Sequence, residues 1–121
     1  MPLALVVEDD LDLSLLFKAA LSEDGFETLT ANSAKEAIRL LGTHTPDIAF
    51  IDMNMPEYPG TLVLAHIRDT KRLSKIKTVV VTGNDRTDSR AQEFNVDLFL
   101  VKPVAIGDIV QLAHRLIGTV S

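Results

Sequence analysis

Five short runs of apolar or β-branched residues recur along the chain: Leu3–Val7, Glu27–Ala31, Ile48–Ile51, Thr78–Val81 and Leu98–Val101. Each is followed by a stretch of helical or polar character. Parallel strands cannot be joined by tight hairpins and need a crossover, usually a helix. Strand and helix alternating in this way therefore predict a parallel sheet with helices on both faces. A continuous apolar run such as Leu3–Val7 suits a strand buried on both sides. Glu27–Ala31 is half polar and belongs at a sheet edge. Right-handed crossovers leave only a few doubly wound orders.

The helices carry their own punctuation. Leu13, Leu16, Phe17, Ala20 and Leu21 repeat at helical spacing after the first run, and Gly25 can stop that helix. Ser33 and Glu36 have the spacing of a capping box ahead of Ala34, Ala37, Ile38 and Leu41, with Gly42 as the end. A loop marked by Pro and Gly, Met53–Gly60, leads into a helix through Leu64, Ile67 and Arg68. Asp85–Phe94 is polar, with a weak helical pattern. Ile106, Ile109, Val110, Ala113 and Ile117 predict a last helix whose N-cap, Ala105, is poor, with Asp108 helping from the first turn.

The chain's 121 residues suit one domain, expected over 1–121. There is no cysteine, which excludes disulfides, cysteine zinc sites and thiol chemistry. The net charge of −5 argues against direct nucleic-acid binding. No apolar run is long enough to span a membrane, and the N-terminus lacks the basic start of a signal peptide, so a cytoplasmic location is expected.

In doubly wound sheets ligands gather beyond the carboxyl ends of the strands. The residues there are Glu8-Asp9-Asp10, Asp52, Thr82 and Lys102-Pro103. Carboxylates brought together need protons, a cation or the lysine to coexist. Oxygen donors without His or Cys favour a hard cation, Mg²⁺ first. A carboxylate beside Mg²⁺, a hydroxyl and a lysine is a suitable nucleophile for a phosphoryl group.

These pieces resemble the receiver domain of bacterial two-component response regulators, single-domain chemotaxis regulators among them. The resemblance rests on Val6-Val7-Glu8-Asp9-Asp10, Asp52-Met53-Asn54-Met55-Pro56 with Gly60, Val79-Val80-Val81-Thr82-Gly83, and Phe99-Leu100-Val101-Lys102-Pro103, in that order. It implies a flavodoxin-like (βα)5 fold, a three-layer sandwich with strand order 2-1-3-4-5. It implies that Asp52 is a phosphoacceptor supplied by a histidine kinase or phosphotransfer protein. Glu8, Asp9, Asp52 and the backbone carbonyl of Asn54 would hold Mg²⁺. Thr82 would be the switch hydroxyl, Lys102 the partner of the phosphoryl group, Phe99 the aromatic switch and Lys102-Pro103 a cis peptide. Asn54 and Asn84 would influence phosphoryl lifetime. The chain would catalyse only its own phosphorylation and dephosphorylation. It would show a protein target the face built by the fourth helix, fifth strand and fifth helix, and remain a monomer or weak dimer without membrane contact. Four local departures stand near that face: a short stretch from Thr82 to Lys102, Asn95-Val96-Asp97, Val104 and Tyr58-Pro59-Gly60.

Plainer readings compete. An acid after a strand is often just a helix cap, the reading preferred for Asp10. Asp10-Leu11-Asp12-Leu13-Ser14 resembles the motif of Mg²⁺-dependent dehalogenase-type phosphatases. A phosphorylation-independent interaction module is the third alternative. His44, His66 and His114 lack metal-ligand spacing, and Lys71, Arg72, Lys75 and Lys77 read as a solvated basic face.

Overall fold

Strands form where the apolar runs lie. They are β1 (Leu3–Val7), β2 (Glu27–Ala31), β3 (Ile48–Asp52), β4 (Lys77–Thr82) and β5 (Leu98–Val101). The helices are α1 (Leu11–Glu23), α2 (Ala34–Leu41), α3 (Thr61–Asp69) and α4 (Ile106–Ile117), with a 3₁₀ turn at Lys71–Leu73. This computed structural model describes residues 1–53, 55, 59–83 and 94–118. The helix expected over Asp85–Phe94 falls outside them except for Phe94.

All four strand pairings are parallel and the order is β2-β1-β3-β4-β5, with β2 at an edge as its half-polar pattern requires. The last rungs bring the carboxyl ends level. Val7 lies beside Ala31 and Ile51, Asp52 beside Val81, and Thr82 beside Val101.

Side chains alternate between two cores, as the pleat dictates. Leu5, Val7, Ala49, Ile51 and Val80 pack under α2 and α3 with Ala37, Leu41, Val63 and Leu64. Ala4, Val6, Ile48, Phe50 and Val79 pack under α1 and α4 with Phe17, Leu21, Ile109 and Ala113. Phe17 meets Phe50 edge to face at 6.0 Å between ring centroids. That is the geometry the ring quadrupoles favour.

Capping follows the sequence closely. Asp10 Oδ1 accepts the Leu13 N–H at 3.1 Å, so Asp10 is the cap of α1. Asp12 is then an exposed residue of the helix's first turn, which removes the dehalogenase reading of this segment. Gly25 follows the end of α1 with φ of +94°, a conformation costly for any residue with a Cβ. Ser33 Oγ accepts the Glu36 N–H at 3.1 Å. Ala105 caps α4 without a side-chain bond.

One expectation shifts. Leu16 is exposed, together with Leu11 and Leu15, because the buried stripe of α1 runs through Ser14, Phe17 and Leu21. Leu16 lies about 100° around the helix from Phe17. Phe99 is only half-buried, packed against the α2–α3 core from an edge strand.

Candidate functional site

The pleat sorts the strand-end residues. Asp52 continues the face of Ile48 and Phe50, whereas Thr82 continues that of Val80 and the adjacent Phe99. Asp52 and Thr82 are both buried, at 2% and 0% exposure, so neither is an ordinary solvated loop residue.

Lys102 joins the groups. Its Nζ lies 3.1 Å from Glu8 Oε1 and 3.4 Å from Asp52 Oδ2. Its backbone N–H donates to the Thr82 carbonyl at 2.8 Å, which ties β5 to the end of β4 at the site. The Lys102–Pro103 peptide is cis. Carboxylate oxygens of Glu8, Asp9 and Asp52 all lie within 4.8 Å of one another. Asn54, whose carbonyl was expected to complete this set, lies outside the described residues, as does Asn84.

The cluster holds more acid than base. Burial pushes the Glu8 carboxyl up to about 7, and a hydrogen bond with Asp52 and that group's charge add to the rise. The Asp10 backbone N–H, 3.2 Å from Glu8 Oε2, and the Lys102 ammonium work against it. Burial disfavours the Lys102 ammonium, but its hydrogen bond to Glu8 and the nearby carboxylates outweigh this and raise its pKa. The all-oxygen donor set fits a hard divalent cation, which would replace the proton that Glu8 retains.

Two backbone contacts set this geometry. Asn32 Nδ2 donates to the Glu8 carbonyl at 3.0 Å, a contact 24 residues apart in sequence. Gly60, at the start of α3, lies against the Asp52 peptide. A Cβ there would collide with the Asp52 carbonyl oxygen and come within 3.0 Å of Ile51 Cγ2. At Gly107, in α4, a Cβ would meet nothing within 4 Å. Gly60→Ala is therefore expected to destabilise the protein by ~1–3 kcal/mol, as overpacking does. Gly107→Ala is expected to stabilise it by ~0.5 kcal/mol. Urea denaturation of both variants checks the pair, and equal effects would contradict it.

His44, His66 and His114 do not gather with any carboxylate group able to hold a metal among the described residues. His114 instead pairs with Asp24 and packs on Phe26 at 4.9 Å between ring centroids. Arg72 is not simply solvated: it reaches the Leu41 and His44 carbonyls at the end of α2. No helix among the described residues is long and apolar enough to cross a membrane.

The family model described as the response regulator receiver domain matches residues 4–114. A polar-differentiation response regulator, DivK of Brucella anthropi, is 24% identical, over 98% of each chain. Among solved structures, the response regulator TrrA of Thermotoga maritima, in complex with Mg²⁺ and BeF, is 27% identical. It superposes with a TM-score of 0.83 over 96% of this chain and 99% of that one. The receiver domain of a signal transduction histidine kinase from Syntrophus aciditrophicus is 26% identical, with a TM-score of 0.87 over 100% of this chain and 93% of that one.

Proposed function

The chain belongs to the response regulator receiver domain family, and from that membership we propose that Asp52 is the group that accepts the phosphoryl moiety. Receiver domains of two-component systems act as phosphoacceptors in signalling, and this chain is one of them. The observation that carries the assignment to Asp52 is its position. It is a buried carboxylate at a strand end, 3.4 Å from the Lys102 ammonium and grouped with the carboxylates of Glu8 and Asp9.

In the proposed reaction an Asp52 carboxylate oxygen attacks phosphorus on a phosphohistidine of a kinase or phosphotransfer protein. The new O–P bond forms as the N–P bond breaks, and the released imidazole nitrogen takes up a proton. Lys102 lies where it can pair with the transferred oxygens, and burial strengthens that pairing. Glu8, Asp9 and Asp52, with the Asn54 carbonyl, would hold Mg²⁺, which supplies positive charge to the same oxygens. The chain supplies the catalytic groups for its own modification and its reversal, and we place it in the cytoplasm. Acetyl phosphate with Mg²⁺ is expected to add one phosphoryl group per chain, and borohydride reduction with peptide mapping should locate it at Asp52. A label at another carboxylate overturns the assignment.

The switch reading rests on the shared sheet face of Thr82 and Phe99. A phosphoryl group adds charge and acceptor oxygens at the rim. Thr82 would move with its loop to bond one of them, and Phe99 would fill the space left behind. Phe99 is half-buried, and it carries no hydroxyl to desolvate. The surface presented to a downstream protein would then change around Asp88–Phe94, Asp97–Phe99 and Ile106–His114, in a monomer or weak dimer. Beryllofluoride is expected to alter amide exchange at Asp97–Phe99 and along α4. Changes confined to the neighbours of Asp52 would rule the coupling out.

A further inference from the structure

Glu8 and Asp9 are consecutive, yet their carboxylates converge. On an extended strand, neighbouring side chains point to opposite faces. The Glu8 side chain keeps the face of Ala4 and Val6, where it meets Lys102 and Asp52. Asp9 would point away if β1 simply continued. Its carboxylate nevertheless lies within 4.8 Å of both other acids. The peptide joining Glu8 and Asp9 must therefore leave the strand path and be held there.

The backbone contacts show what holds it. The last paired residues of β1 and β2 are Val7 and Ala31. Beyond them the Glu8 N–H donates to the Ala31 carbonyl at 2.9 Å. The Glu8 carbonyl, half of the peptide in question, accepts from Asn32 Nδ2 at 3.0 Å. A side chain thus supplies the contact where the backbone ladder ends. The anchor itself is fixed on both sides, by fully buried Ala31 and by Ser33, which caps α2.

We propose that Asn32 is a positioning residue of the acid cluster, whose amide holds the Glu8–Asp9 peptide so that both carboxylates face Asp52. The proposal deepens the phosphoacceptor reading and rests on it. Asn32 touches neither the reacting atoms nor the cation site. It acts through the orientation of Glu8 and Asp9, as groups behind a metal's ligands commonly do, where their loss weakens metal binding roughly 10–100-fold.

The test compares Mg²⁺ affinity by calorimetric titration in the wild-type protein, Asn32→Ala and Asn32→Leu. Asn32→Leu keeps the volume and removes the donor, and Asn32→Ala serves if leucine perturbs folding. Asp9→Ala sets the scale for loss of a carboxylate. Both Asn32 variants are expected to bind Mg²⁺ about ten-fold more weakly. Their Glu8, Asp9 and Asp10 amide resonances should be shifted even in EDTA. A merely structural Asn32 would lower the urea midpoint and leave the Mg²⁺ affinity of the folded protein unchanged, and that result overturns the proposal. A wild-type protein that takes up neither Mg²⁺ nor a phosphoryl group overturns the phosphoacceptor reading itself. Normal wild-type binding with unchanged affinity in both variants overturns the role of Asn32 alone.

Discussion

Asp52→Asn is expected to take up no phosphoryl group from acetyl phosphate and, in the absence of Mg²⁺, to be more stable than the wild type. The first effect follows from the chemistry. A carboxamide has no anionic oxygen to attack phosphorus. The second follows from the charges. Glu8 and Asp52 share one ammonium with the Asp9 carboxylate grouped beside them, and Asp52 contributes to the raised pKa of Glu8 both by a hydrogen bond and by its charge. Burial, the largest cause of that rise, remains, but removing the Asp52 charge lowers the Glu8 pKa part of the way and favours the ionised form beside Lys102, 3.1 Å away. The gain should be on the order of 1–2 kcal/mol at pH 8, since one pKa unit corresponds to about 1.4 kcal/mol. Intact-mass measurement and urea unfolding in EDTA read the two effects separately. Phosphorylation of Asp52→Asn at the wild-type rate would remove Asp52 from its role, and a loss of stability would mean that its hydrogen bonds outweigh the repulsion.

Much of this architecture is legible because the apolar runs and helix caps act locally. Leu3–Val7 reads as a buried strand from its own five residues, and Ser33 announces α2 through a partner three residues away. The strand ends then bring Glu8, Asp52 and Lys102 to one rim, as a doubly wound sheet does with any such residues. Contacts fixed only by tertiary packing are a different matter. Asn32 reads as a generic loop residue between a strand and a capped helix, since its partner is the Glu8 carbonyl. Gly60 reads as a turn residue, whereas its φ of −59° is open to any amino acid and the approach of Asp52 makes the demand. Leu16 fits the apolar period of α1 as well as Phe17 does. Only the position of the sheet decides which of two adjacent residues is covered.

The raised pKa of Glu8 leads to a large, signed dependence of stability on pH. In the unfolded chain Glu8 releases its proton near 4.5, whereas in the folded protein it keeps it up to about 7. Below pH 4.5 both states hold the proton and the carboxyl imposes no penalty. Between 4.5 and 7 only the unfolded state loses it, so stability falls as pH rises through this window. Above 7 both states are ionised and the full cost stands, on the order of 3 kcal/mol. Other carboxylates titrate as well, so the comparison is with Glu8→Gln, which keeps the neutral shape at every pH. Glu8→Gln should match the wild type near pH 4 and exceed its stability by an amount that grows to this order at pH 8, in EDTA. Mg²⁺ should narrow the gap by stabilising the ionised wild-type cluster, and its own affinity should rise with pH up to about 7 as binding displaces the Glu8 proton. Urea unfolding at several pH values, with and without Mg²⁺, measures both trends. A difference between the two proteins that stays constant from pH 4 to pH 8 would show that Glu8 ionises in the folded state as it does in the unfolded chain.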